Sequence, residues 1–360
     1  MKIYKAAIIG LGPSGLAVNK IIYGDTLNEV IAFENEDINK RDNYFGFWLT
    51  DWMKPFENII EKKWYEWKIG NKNINVTHIN IEKPYCVISF KNWKNFCLNT
   101  KSKLDIKNKK VVKYISKKNY FKIITNDNKE YYAEKIYDSR SAKEKNGELL
   151  QHFLGVNLTT EDNIFNEKKL TLMHFTNENN ILHFIYILPF SHNKALVEST
   201  VFSKETFDDS WYRERIKNYL KLNNIINFKE TSMEKGVIPM FFAEEKKSTN
   251  SNIINIGIRS GACKPSTGYA FSFLIKQIQQ LKKSNYNYVN VHKFLERKMD
   301  KIFINFLKNN NENGDSFIKL ASNLNGNEFQ SFMMGESNLL TKIKIIKSMP
   351  LIPFIKEVFK

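Results

Sequence analysis

Hydrophobic positions along the chain change period several times, and the first change comes at once. Ala6, Ala7, Ile8 and Ile9 form an unbroken apolar run, which reads as a strand buried on both faces. Gly10-Leu11-Gly12-Pro13-Ser14-Gly15 follows as a tight turn, Leu16 to Ile22 takes helical spacing, and Val30 to Glu34 is a second apolar run ending on an acid. Residues 87 to 100 read as a buried strand running into a helix. From Val111 to Tyr137 the pattern alternates in three short runs, VVKYIS, YFKIIT and YYAEKIYD, which predicts a β-meander. Between 151 and 203 lie four longer runs, HFLGVNL, LTLMHF, ILHFIYILPF and KALVESTVF, expected to form a second, antiparallel sheet at a substrate site. A helix is predicted over 207 to 222, return strands over 234 to 240 and 253 to 257, and a helix from Tyr269 to about Lys283. The remainder, 289 to 360, is mostly helical by period with a polar break at Asn309 to Asp315. Tyr44 to Trp52 shows little period of either kind.

The opening order of strand, turn, helix, strand and acid is that of a dinucleotide-binding unit. Gly10 permits the tight turn, Gly12 lets backbone approach a pyrophosphate, and Gly15 lets the helix pack closely on its strand. Pro13 and Ser14 begin the helix, whose free N–H groups face phosphate. Glu34, 19 residues after Gly15, is placed to accept from an adenosine ribose hydroxyl. The meander ends on Asp138-Ser139-Arg140, where a strand of this domain is expected to return to the cofactor. A second glycine-rich loop, Arg259 to Tyr269 with Gly261, Thr267 and Gly268, delivers another helix N-terminus toward phosphate or flavin.

Composition narrows the partners. The chain has 360 residues, 42% hydrophobic and 14% aromatic, which supports a full core rather than disorder. Its charge, 55 minus 38 or +17, attracts anions. The lysines are scattered, with no arginine-rich helix, so no nucleic-acid role is expected and an anionic membrane surface stays open as a partner. The end of the chain alternates Lys342, Lys344 and Lys347 with apolar residues and continues as Met349-Pro350-Leu351-Ile352-Pro353-Phe354, either to lie on a membrane or to dock on the body. No apolar run reaches the ~18 residues of a spanning helix, and the early strand leaves no room for a signal peptide. The expected location is therefore cytoplasmic, peripheral to a membrane. Cys86, Cys97 and Cys263 are far apart, and His152, His174, His183 and His192 share no ligand spacing, so neither disulfide nor metal is expected. The aromatic density of Tyr44 to Trp52 with Trp64, Tyr65, Trp67 and Trp93 points to a large apolar pocket whose rings face a cation.

In their shared order these segments resemble the flavin-dependent lycopene cyclases of the bacterial carotenoid pathway, which are distantly similar to geranylgeranyl reductases and aromatic hydroxylases. The resemblance rests on GLGPSG with Glu34, the aromatics around Phe47-Trp48, YDSR at 137 to 140, QHFLG at 151 to 155 and FIYILPF…ALVEST at 184 to 200. It continues through EKGVIPM at 234 to 240, GIRSGACKPSTGYAFSFL at 257 to 274, QSFMMG and the closing MPLIPF. Two positions depart from the family pattern: His174, where an acid follows a methionine, and Lys264, where a histidine precedes the loop.

The resemblance implies an α/β fold: an FAD-binding Rossmann-like domain of the glutathione-reductase type, with an interwoven antiparallel-sheet substrate domain and a helical C-terminal region. The FAD-binding domain would take 1–150 and 246–285, the substrate sheet 151–245 with parts of 44–100, and the helical region 286–360. It also implies lycopene as substrate, reduced FAD as cofactor and NADPH only as the reductant of the flavin. By itself Glu198 reads as an ordinary strand acid; the family match assigns it as the proton donor. Trp48 and Tyr186 are then expected to line the substrate pocket, with Asp51 as a second candidate acid or orienting group, although an N-cap or surface position fits an aspartate there better. A redox reductase or hydroxylase of the same fold is the alternative.

Overall fold

The computed structural model describes residues 1–141, 147–176, 178, 181–242, 252–285, 290–309 and 314–350. Strands β1 (Ile3–Tyr4) and β2 (Ala6–Ile9) lead into helix α1 (Pro13–Ala17), which continues as a π-helical turn over Val18–Tyr23, and then into β3 (Glu29–Glu34). An excursion follows through β4 (Tyr44–Trp48), β5 (Lys62–Trp64), β6 (Glu66–Gly70), β7 (Asn75–Ile79), β8 (Tyr85–Ser89) and α2 (Phe90–Leu98). Next come β9 (Lys103–Asn108), β10 (Val111–Ser116), β11 (Phe121–Thr125), β12 (Glu130–Ala133) and β13 (Ile136–Asp138). The long strands are β14 (Leu150–Thr160), β15 (Lys169–Phe175), β16 (Leu182–Ser191) and β17 (Lys194–Ser203), followed by α3 (Asp209–Leu222) and β18 (Phe228–Pro239). The described chain ends through β19 (Ile253–Asn255), α4 (Phe271–Lys283), α5 (Phe294–Asn309), α6 (Asp315–Ser322), α7 (Gly326–Met333) and α8 (Leu339–Ser348).

A five-stranded parallel sheet, ordered β19-β13-β2-β3-β9, explains the unbroken apolar run at the start. Ala6 and Ile8 of β2 pack toward the helices with Leu16, Ile275 and Ile278, while Ala7 and Ile9 pack toward the meander with Phe121, Ile123 and Ile136. Both faces are covered, so neither leaves room for a polar residue. The meander β10-β11-β12, with β1 added in parallel, is the cover on the second face. Its last predicted run divides. Glu130–Ala133 stays in the meander, whereas β13 leaves for the parallel sheet after the charged pair Glu134-Lys135.

The large sheet has seven strands, ordered β18-β14-β17-β16-β15-β6-β7, antiparallel throughout except where β15 meets β6. Its outer face carries Leu154, Val156, Ile185, Val197 and Val201 against Tyr212, Ile216 and Leu220 of α3. Its inner face looks toward the parallel-sheet domain and helices α5 to α8. Tyr44 to Trp52 departs from expectation, since five of its residues form strand β4 beside β8. The period is hidden because aromatic rings occupy both faces: Phe45 and Phe47 meet Phe271, while Trp48 meets Trp67 and Tyr85.

At Gly15 an added Cβ would run into the carbonyl oxygen of Gly10 and lie 3.1 Å from Ile8 Cγ2. Gly15→Ala is therefore expected to lower stability by about 1–3 kcal/mol, as overpacking does. Chemical denaturation of the variant reads this directly, and an unchanged midpoint would contradict the close helix–strand contact.

Candidate active site

The turn after β2 is built as its glycines require. Gly10 has φ of 91°, a left-handed conformation that favours glycine, and a side chain there would strike Ser139 Oγ. Ser139 Oγ itself lies 2.9 Å from the carbonyl oxygens of both Ile9 and Gly10, so the Asp138-Ser139-Arg140 turn buttresses the loop. Asp138 is fully buried and held by Arg140 at 2.6 Å and Arg259 at 3.5 Å. Gly12 differs from its neighbours: a Cβ added there meets nothing within 4 Å. Its backbone borders a cavity of 220 Å³ lined by Pro13, Ser14 and Ser139. Glu34 ends β3 beside this loop, where its carboxylate accepts from Leu11 N–H at 2.8 Å and pairs with Arg41 at 3.1 Å.

The second glycine-rich loop closes onto the first. Gly257 has φ of 69°, and a Cβ there would lie 2.6 Å from Ser14 Oγ. Gly261, at φ of 78°, ends a short 3₁₀ turn, Gly257–Ser260, and shapes the loop. Tyr269 Oη accepts from Trp48 N–H at 2.7 Å, and Phe45 stacks on Phe271 at 4.6 Å, which fastens β4 to the loop and to α4.

Between this loop, β4 and the inner face of the large sheet lies a mostly apolar cavity of 280 Å³. It shares Pro13, Ile258 and Leu274 with the cavity at Gly12, so the two adjoin. Trp48, Tyr186, Glu198, Thr267 and Gly268 all line it. Trp48 and Gln151 both line it, and their buried Nε1 and Oε1 have no partner among the described residues, an unmet donor and acceptor beside the cavity. The open backbone at Gly12 and these two polar atoms fit an elongated, partly polar ligand such as a flavin dinucleotide.

Strand register sets the chemistry. Glu198 on β17 lies opposite Tyr186 on β16 and opposite Gly155 on β14, and Gly155 lies opposite Glu234 on β18. Glu234, Gly155, Glu198 and Tyr186 thus form one row across the inner face. Glu198 is buried and accepts from Thr200 Oγ1 at 2.5 Å; burial pushes its pKa up to about 7. Glu234 is buried and accepts from Tyr44 N–H at 2.8 Å; burial, then the facing Glu198, pushes its pKa to about 8. Tyr186 Oη is 3.0 Å from Tyr85 Oη, and burial raises both phenols well above their ordinary range.

Asp51 does not belong to this pocket. It sits exposed on the turn after β4 and pairs with Lys54 at 2.7 Å, a local contact that gives it a surface partner. Glu234 is the acid that sequence reasoning missed. The available signal was Gly155 in the middle of a strand, since an interior glycine marks a place that other groups crowd. The two departures from the family pattern are also outside the cavity lining. His174 packs its ring against Tyr219 of α3 on the outer face, 5.2 Å between centroids. Lys264 is buried beneath the second loop, its Nζ 2.6 Å from Asp300, which also accepts from Ser266 at 2.6 Å.

A carboxyl whose pKa rises on folding takes up a proton, so its contribution to stability is full below its ordinary value and declines as pH rises through the folded value. Glu198→Gln removes one such group. Relative to the parent, the variant is expected to gain stability between about pH 5 and pH 9, by up to about 3 kcal/mol. Urea midpoints at the two pH values measure it; a difference independent of pH would mean that Glu198 is not buried as a proton-holding acid.

Solved structures with a similar fold cover the whole molecule. A geranylgeranyl bacteriochlorophyll reductase-like protein from Thermoplasma acidophilum aligns with a TM-score of 0.69 at 11% identity over 100% of this chain and 99% of its own. The p-nitrophenol 4-monooxygenase PnpA from Pseudomonas putida gives 0.60 at 10% over 99% and 98%. A variant of HpxO from Klebsiella pneumoniae, crystallised with FAD, gives 0.60 at 11% over 97% and 100%. No curated protein matches the sequence. The profile of the lycopene cyclase protein family matches residues 6–358. Because that match runs nearly end to end, the chain belongs to the lycopene cyclase protein family.

Proposed function

We propose that the protein closes β-ionone rings at the ends of lycopene, first to γ-carotene and then to β-carotene, by acid–base chemistry with no net redox change. The observation that carries this reading is Glu198: a buried carboxyl that holds its proton near neutrality, inside an apolar, aromatic-walled cavity adjoining both glycine loops. Cyclisation needs such a group. Protonated Glu198 gives its proton to the terminal double bond, a second double bond attacks to close the ring, and loss of a neighbouring proton restores neutrality. Trp48 and Tyr186 line the same cavity, so that aromatic rings stand beside the cation in between. The apolar walls hold water away from it.

FAD binding is supported by the open backbone at Gly12, the adjoining cavities and the FAD in the crystallised HpxO variant. Gly10, Gly12, Pro13, Ser14, Gly15 and Glu34 would form or shape the dinucleotide end of its site, and Gly261, Thr267 and Gly268 the other. When bound in its reduced form, FAD supplies electron-rich character that offsets positive charge, and NADPH serves only to reduce it. The substrate lives in a bilayer, and α8 has the residues to meet one: Leu339, Leu340, Ile343 and Ile346 are exposed beside Lys347. Lys342 is instead buried against Glu296, and Lys344 pairs with Glu328. Leu351, Ile352, Pro353 and Phe354 of the proposed membrane-facing terminus lie outside the described residues.

Expression in lycopene-making cells should yield ring-bearing pigments without stoichiometric NADPH oxidation by the purified protein. One NADPH per turnover would instead identify a reductase or hydroxylase. Glu198→Gln should retain flavin and lower ring formation at least about 100-fold; a cyclising variant would remove Glu198 as the acid. Gly12→Ala should fold with unchanged stability, since its Cβ meets nothing in the protein, yet lose yellow colour on purification. Full flavin content in that variant would place the dinucleotide elsewhere.

A further inference from the structure

The cavity holds two carboxyls where one strand acid was expected. Glu198 and Glu234 stand on β17 and β18, which are not neighbours, because β14 runs between them. The residue of β14 in their row is Gly155, and a Cβ built there lies 3.4 Å from Glu198 Cβ and 3.4 Å from Glu234 Cγ. Position 155 itself contributes no side chain, Leu196 Cδ1 being the nearest atom to that Cβ at 3.0 Å, and both glutamates line the same cavity. Among the described residues no lysine, arginine or histidine pairs with either. The other titratable groups around them are Tyr186 on β16, Tyr85 on β8, Tyr44 on β4, Asp42 ahead of it and Tyr269 of the second loop, none of them a cation.

Two buried carboxyls without a counter-charge resist ionising together, because each anion is poorly solvated and repels the other. Such a pair gives up its two protons in separate steps, and its singly protonated form carries one proton between two acids. Burial raises the pKa of Glu234 at least as far as that of Glu198, and both accept a hydrogen bond, so the division of work rests on the kind of donor each one has. Glu198 accepts from a hydroxyl on its own strand, Thr200, whereas Glu234 accepts a main-chain N–H from Tyr44 across the cavity, a fixed donor that favours the carboxylate.

We propose that Glu234 is the base of the ring-forming reaction and shares a single proton with Glu198 across the gap at Gly155. This assignment rests on the acid–base cyclase reading. In the forward step the O–H bond of Glu198 breaks as a C–H bond forms at the terminal alkene. A π pair of the next alkene makes the ring C–C bond. A ring C–H bond beside the cation then breaks, its electrons become the ring double bond, and its proton passes to the Glu234 carboxylate. The pair now has its proton on Glu234 rather than Glu198. Transfer across the gap restores the starting state, and neither oxidant nor reductant enters the balance.

The test uses the FAD-loaded enzyme with lycopene in phosphatidylcholine–phosphatidylglycerol vesicles, following ring formation, its pH profile and the position of the ring double bond. The parent should show a bell-shaped profile, limited on the acid side by protonation of Glu234 and on the alkaline side by ionisation of Glu198. Glu234→Gln keeps an acceptor for Tyr44 N–H and should retain flavin. Its rate should fall at least about 100-fold. Its acid limb should vanish, its alkaline limb should move to lower pH, and its residual product should shift in double-bond position. A Glu234→Gln enzyme with parental rate, profile and product would overturn the assignment while leaving the cyclase reading intact. A parent that forms no rings would instead overturn the cyclase reading itself. Should Glu234→Gln not retain flavin, Glu234→Asp decides: a slowed, still bell-shaped profile with a mixed ring product supports the base, and parental behaviour overturns it.

Discussion

Everything in the acid-lined cavity depends on the register of the large sheet. A strand has a side-chain period of two, so a slip of one residue between β17 and its neighbours would turn Glu198 toward α3 and bring Val197 into the cavity. What prevents the slip is burial on both faces at once. The outer face supplies a continuous aliphatic layer to Tyr212, Ile216 and Leu220, and the inner face supplies aromatic and aliphatic residues to the cavity wall. Each layer would be ruined by the shift that ruins the other. The acid is thereby held in an apolar wall by the packing of both faces of its sheet.

The two halves of the molecule are joined by contacts between backbone and ring. The 257–269 loop approaches Ser14 through Gly257, and β4 hangs from Tyr269 and Phe271. Both β4 and the β6–β7 pair belong to an excursion of the chain between β3 and β9, which are neighbours in the parallel sheet. The cavity is therefore built partly from a detour inside the parallel-sheet unit, and its floor and roof have no independent existence along the sequence.

Local patterns were legible where function and structure are encoded within a few residues. GLGPSG, the alternation of the meander and the apolar run of β2 each carry their own explanation. Features that need two distant segments were not. Glu234 lies in a strand whose other positions are largely exposed, and its meaning comes from a glycine on one strand and a glutamate on the next. Asp51 is the opposite case: the aromatic stretch beside it suggested chemistry, and its surface reading is the one the exposed pair with Lys54 bears out. β4 itself hid from periodicity because both its faces meet rings. Glu198 lay between these cases, since only its wider motif separated it from any other acid in a strand.

The buried pair of Lys264 and Asp300 constrains how this chain can change over evolutionary time. Asp300 accepts from both Lys264 and Ser266 in a place closed to water. Replacing Lys264 alone by a neutral residue strands a buried carboxylate, a loss of about 3–5 kcal/mol in comparable pairs. Replacing both partners by apolar residues of matching volume need cost nothing. The two positions are therefore bound in sign epistasis: each single step is disfavoured while the double step is open. A lineage that has acquired the lysine is held to it by the aspartate on a helix 36 positions away.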